Sequence, residues 1–121
     1  MSYKRLTPCV FIYKGKAVRE VLSEDVAGLA KYYSDRGADE LIVFDLSDSD
    51  EEHEESINLM RKINRVIRIP MIAGGNIKRQ EDVKKILYTG AKRAVLNLSK
   101  PVCTEMLEEV SKRFGKERIA V

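Results

Sequence analysis

The sequence contains no run approaching the roughly 20 apolar residues that a membrane-spanning helix needs, so no membrane association is expected. Its N-terminal stretch, MSYKRLTPCVFIYKGK, is broken by charges and lacks the apolar core of a signal peptide. There are only two cysteines, Cys9 and Cys103, too far apart for any metal-ligand spacing. Both are read as reduced, mostly buried thiols, which suits a cytoplasmic setting. No dense basic run exists either. The formal charge is +3, and the cations are spread along the chain without interleaved aromatics, which argues against a nucleic-acid partner. No Pro/Gly/Ser-rich linker or low-complexity stretch divides the chain, so residues 1–121 are read as a single domain. No motif implies a cofactor.

What is present is alternation. Leu6 to Ile12 reads as a short strand. Ser23 to Arg36 reads as a helix, with Val26, Leu29, Ala30 and Tyr33 on one face, Ser23 as N-cap and Gly37 as its stop. The apolar run Leu41 to Leu46, around Asp45 and closed by Ser47, fits a strand buried on both faces of a parallel sheet. A second helix follows, acidic at its front and basic at its tail, with Ile57, Met60, Ile63 and Ile67 inward. Then come a strand over Pro70 to Ala73, a helix over Gln80 to Tyr88 stopped by Gly90, and a strand over Arg93 to Leu98. A helix capped by Thr104 runs to Phe114, and Arg118 to Val121 begins one more apolar run. The segments RGADELIVFDL and TGAKRAVLNLS share a pattern, which suggests a (βα)2 unit used twice. Alternation with short loops implies parallel strands and right-handed crossovers. The fold class is α/β: four βα units, or (βα)4, about half of a (βα)8 barrel of roughly 250 residues.

The stretches LAKYYSDRGADELIVFDLS, IPMIAGGNI with the following Glu81 and Asp82, and RFGKERIAV occur in an order and at separations that resemble a known family. The chain, from Lys4 to Val121, resembles the N-terminal half of the cyclase subunit of imidazole glycerol phosphate synthase, and more distantly its sister isomerase of histidine biosynthesis. The resemblance implies half of a TIM-type barrel. It also implies what has been lost. The family's first strand ends in a catalytic aspartate two residues after the cysteine, where this chain has Phe11. A phenyl ring cannot act as a general acid or base. The second catalytic aspartate lies in the other half. Cyclase (lyase) chemistry is therefore not expected of this chain unless another chain restores it, and no residue is assigned as catalytic.

The resemblance places a phosphate of the ligand at Gly74, Gly75 and Asn76 after the third strand and at Asn97 after the fourth. There Leu98 replaces a hydroxyl residue and the neighbouring Ser99 is a substitute donor. The alternative is that Gly74-Gly75 is only a tight turn. The same resemblance puts Asp45 and Ser47 in the ligand pocket, together with Arg19 on a shortened loop that keeps Gly15. For Asp45 a binding or structural role is favoured over a catalytic one. Arg5, Glu40 and Arg93 match three members of the family's charged ring at the opposite end of the barrel, and the reading as ordinary salt-bridging residues at strand starts is favoured over a functional ring. The acidic run Asp48, Asp50, Glu51, Glu52, Glu54 and Glu55 around His53 is read as a solvated helix start rather than a metal site, because consecutive carboxylates on a helix diverge. Cys9 is expected to face the core.

A four-stranded half-barrel leaves open edges and an apolar inner face, expected to include residues of the set Val10, Ile12, Val43, Ile72, Val95 and Asn97. Such surfaces seek a partner. The expectation is a homo-oligomer, in the simplest form a two-fold dimer, that binds a phosphosugar or nucleotide without cyclase catalysis. Two alternatives stand beside it: a divergent or split cyclase subunit, and a structural or sensory module excised from a longer fusion protein.

Overall fold

A computed structural model describes residues 7–13, 16–18, 26–47, 49–97 and 99–121. Ten elements follow in chain order with one further 3-10 turn: β1 (Cys9–Tyr13), β2 (Lys16–Val18), α1 (Val26–Asp35), β3 (Leu41–Asp45), α2 (Asp50–Val66), β4 (Met71–Gly74), α3 (Gln80–Tyr88), β5 (Arg93–Val95), α4 (Pro101–Phe114), a turn at Lys116–Arg118, and β6 (Ile119–Ala120). They build one six-stranded sheet in the order β2-β1-β3-β4-β5-β6. Strands β1, β3, β4, β5 and β6 are all parallel. This is the half-barrel arrangement that the alternation predicts. The chain also holds an element that the sequence reading omits. Strand β2 folds back antiparallel on β1, pairing Phe11 with Val18 and Tyr13 with Lys16, so one edge is a hairpin rather than a bare barrel strand. The N-cap expected at Ser23, the strand start at Leu6, and Gly15 lie outside the described residues.

Strand register decides which residues meet the helices. Val10, Val43, Ala73 and Ala94 stand abreast in one row, and Leu41 pairs with Met71. All six are essentially sealed from solvent. They pack beneath Ile57, Met60 and Ile63 of α2, Val83 and Ile86 of α3, and Cys103, Met106 and Val110 of α4. The opposite face carries Cys9, Phe11, Ile42, Phe44 and Val95, all of them exposed or half-buried. Because side chains alternate along a strand, this selects within the expected inner-face set and corrects one expectation. Val10, Ile12 and Val43 face the helices, and Val95 faces the open side of the sheet. Cys9 is exposed, while Cys103 is buried.

Helix α2 begins where its residues dictate. Ser49 caps it, its Oγ accepting from the Glu52 N–H at 3.2 Å, and Asp50, Glu51 and Glu52 occupy the first turn. Helix α4 starts earlier than the sequence suggests. Lys100 is its N-cap and Pro101 fills the first turn, where a missing N–H costs nothing. Thr104 is not the cap: it sits inside the helix and turns its hydroxyl back to the Lys100 carbonyl. Strand β5 ends at Val95 instead of Leu98, because Asn97 and Ser99 form a turn. The two glycine-alanine repeats occupy matching places: Gly37 and Gly90 follow α1 and α3 with φ of 90° and 105°, and each is followed by a buried alanine, Ala38 or Ala91.

Candidate functional site

The C-terminal ends of the parallel strands carry the polar residues, on the side where α/β folds place their sites. Asp45 is the last residue of β3, on the same face of that strand as Val43, so its side chain enters the helix layer. The carboxylate is fully enclosed. Oδ1 accepts from the Ser47 N–H at 2.9 Å and from Ser56 Oγ at 2.8 Å. Oδ2 accepts from Ser47 Oγ at 2.9 Å and from His53 Nδ1 at 2.5 Å. Four donors fill the two oxygens, so no lone pair faces a ligand. Burial alone would push this carboxyl up, but the hydrogen bonds from His53, Ser56 and Ser47 outweigh it and hold its pKa below the ordinary value. Asp45 therefore organises the turn after β3: it borders the open depression at the strand ends, with its carboxylate oxygens enclosed and saturated.

His53 departs from the solvated helix start expected of it: it is buried. The signal was its spacing. His53 precedes Ile57 by four residues and Met60 by seven, on the same stripe of α2 that meets the core. Its exposed neighbours Asp50, Glu51, Glu54 and Glu55 are the solvated face, as expected. Asp48 lies outside the described residues.

The turn after β4 is tied to the turn after β3. Asn76 Nδ2 donates to Ser47 Oγ at 2.9 Å. Gly74 and Gly75 have packing reasons of their own. A Cβ on Gly74 would come within 2.7 Å of the Val95 carbonyl, and a Cβ on Gly75 within 2.3 Å of the Asp45 carbonyl. Gly75 also has φ of 99°. Gly75→Ala is expected to destabilise the fold by about 3 kcal/mol, from left-handed strain plus a displaced Asp45 backbone, read as a lowered urea midpoint. Asp82, three residues into the α3 cap, accepts from the N–H groups of Lys78 and Arg79 at 2.9 and 3.1 Å. The α3 terminus thus already holds a carboxylate of its own.

Between this turn and the turn after β5 lies a cavity of about 120 Å³, bordered by Gly75, Asn76, Lys78, Asn97, Lys100 and Cys103. Asn97 Oδ1 accepts from both the N–H and the hydroxyl of Ser99, at 3.1 and 2.7 Å, which leaves the Asn97 amide nitrogen as a donor without a partner among the described residues. Lys100 is the residue that sequence reasoning missed. It borders this cavity and the adjoining open depression of about 790 Å³ over Phe11, Phe44, Leu46, Val95 and Val121. Its position as N-cap of α4, three residues after Asn97, is the signal that could have found it. Lys78 is the second cation at the rim, 3.8 Å from Asp50.

The structure thus brings Asp45, Ser47, Gly75, Asn76, Asn97 and Ser99 to one end of the sheet. Arg19 and Leu98 lie outside the described residues. At the other end, Glu40 and Arg93 are half-buried at the starts of β3 and β5. Arg93 Nε is buried without a hydrogen-bond partner among the described residues. Arg5, the third member of that expected ring, is not described.

Parallel βα units with polar turns gathered at the strand ends define half of a TIM-type barrel. The comparisons give that class a family. Residues 5–121 match the family described as "Histidine biosynthesis protein", and the chain belongs to it. The chain is 32% identical to the imidazole glycerol phosphate synthase subunit HisF of Exiguobacterium sibiricum, aligning over 100% of its own length and 51% of that protein. It is 35% identical to the HisF subunit of Halalkalibacterium halodurans, over 100% of the chain and 50% of the relative. The HisF subunit of Methanococcus maripaludis is 32% identical, over 100% and 47%. The chain spans about half the length of the curated relatives it matches. Among the described residues, no helix is long and apolar enough to cross a membrane.

Proposed function

We propose that this chain binds a phosphate-bearing small molecule, a phosphosugar or nucleotide, at the turns after β4 and β5, in a half-barrel that self-associates and lacks cyclase catalysis. The cavity between those turns carries the reading. It brings two lysines, Lys78 and Lys100, and the Asn97 amide around one small space, the donor set that an anion with several oxygens requires. The two glycines add less than the resemblance suggests, since packing against Val95 and Asp45 already explains them. The absence of cyclase chemistry rests on two side chains. Phe11 occupies the open face where the resemblance places the family's catalytic aspartate, and Asp45, the carboxylate at the end of β3, is sealed and saturated.

Calorimetric titration with inorganic phosphate and with ribose 5-phosphate tests the binding reading. Binding is expected for both, and Lys100→Ala is expected to weaken it about tenfold, the scale of one charge-assisted hydrogen bond. No heat at millimolar ligand would refute it. Ammonia-dependent turnover of the synthase's ribonucleotide substrate by this chain alone would instead establish the divergent-cyclase alternative.

A further inference from the structure

We infer that His53 is a two-ended positioning residue that holds the turns after β3 and β4 in register. The inference rests on the proposed ligand site only for what this register serves. One end of the imidazole is fixed: Nδ1 donates to Asp45 Oδ2 at 2.5 Å, because an ionised carboxylate can only accept. Asp45 in turn fixes Ser47, whose hydroxyl receives the Asn76 amide. The other end is the unusual one. Nε2 is buried without a hydrogen-bond partner among the described residues. It lies 3.9 Å from Oδ1 of Asp82, the carboxylate that accepts the Lys78 and Arg79 amides at the end of the β4–α3 turn.

A buried polar atom with no partner is costly, and this one stands just beyond hydrogen-bond distance of a nearly enclosed carboxylate. A small closure between α2 and α3 would complete the chain Asn76–Ser47–Asp45–His53–Asp82–Lys78, which encircles the β4–α3 turn. The charged groups facing the imidazole are Asp45 from β3 and Asp82 from α3. Around them stand Glu54 on its own helix, bonded to Lys85 of α3, and Arg79, 3.8 Å from Asp82. With Nδ1–H committed to Asp45, a bond across the gap needs a proton on Nε2, which Asp82 Oδ1 can accept. His53 thereby stands between the two carboxylates that set the turns after β3 and β4.

The chain has a single histidine, so its imidazole resonances need no assignment by mutation. In nitrogen-15 NMR of the ligand-free full chain, Nδ1 is expected to carry a proton. In His53→Leu the amides of Ser47, Lys78 and Arg79 are all expected to shift from their positions in the unsubstituted chain. His53→Asn, which presents a donor near the Nδ1 position but is too short to approach Asp82, should restore the Ser47 environment and not the Lys78 one. Phosphate affinity should fall about tenfold in His53→Leu and less in His53→Asn. Amides of Lys78 and Arg79 that stay in place in His53→Leu would overturn the inference, as would equal phosphate affinity in all three proteins. If phosphate fails to bind the unsubstituted chain, the ligand reading fails alone, and the ligand-free amide shifts of the His53 variants decide the role of His53.

Discussion

Replacing Asp45 by alanine is expected to cost about 4 kcal/mol of folding stability, more than any surface substitution in this chain. The size follows from what is left behind. The carboxylate is enclosed, and four donors converge on it: the Ser47 N–H, Ser47 Oγ, Ser56 Oγ and His53 Nδ1. Removing it strands buried donors on two elements, and breaking a buried charged pair from one side costs roughly 3–5 kcal/mol. Asp45→Asn tests the mechanism separately from the space. The amide keeps the volume but presents one donating nitrogen where Asp45 has an acceptor, so two of the four bonds become donor against donor. A loss of about half that of the alanine variant is expected in chemical denaturation.

The same carboxylate gives stability a defined pH dependence. Its folded pKa lies below the ordinary aspartate value, so the native state binds fewer protons than the unfolded state in acid. Its contribution is fully present above the unfolded value and is lost as pH falls through the folded one. Denaturation midpoints should therefore drop on acidification below about pH 4. That slope should be shallower in Asp45→Asn than in the unsubstituted protein. An identical slope in both would show that Asp45 is not the group responsible.

The sequence makes the layered architecture legible and hides the site's interior. Apolar runs at Leu41–Asp45 and Pro70–Ala73 and the 3.6-residue periodicity of Ile57, Met60 and Ile63 are local signals, and the strands and helices form where those signals lie. Face assignment is not local. Whether Val10 or Phe11 meets the helices depends on strand register, which is set by pairing with β3 and not by β1 itself. The β1–β2 hairpin is not legible because Lys16–Val18 is too short to show alternation. The acidic neighbours of His53 dominate the composition of its segment, although its spacing to Ile57 places it inside. Gly75 reads as a phosphate signature, and its strongest constraint is the backbone of Asp45, on a different strand.

Phe11→Asp is expected to abolish self-association while leaving the fold of the chain largely intact. Helices cover one face of the sheet. On the other, Phe11 and Phe44 stack with centroids 5.6 Å apart and planes inclined by 20°, flanked by Leu46, Val95 and Val121 around an open depression. Phe11 is 37%, Leu46 44% and Val121 74% exposed. Apolar patches of this kind mark interaction surfaces. A second copy related by a two-fold axis would present the same surface in return. A carboxylate at position 11 would meet its own symmetry mate or a phenyl ring there, desolvated and unpaired, at a cost of several kcal/mol per interface. That is a loss of more than about a hundredfold in association. In the monomer the same carboxylate points to water, so folding stability should change by no more than about 1 kcal/mol. Light scattering of the 121-residue chain is expected to give a homo-oligomer, and Phe11→Asp a monomer with unchanged far-ultraviolet circular dichroism. A chain that is monodisperse and monomeric without substitution would remove the self-association part of the proposal and leave the anion cavity to be judged by its own titration.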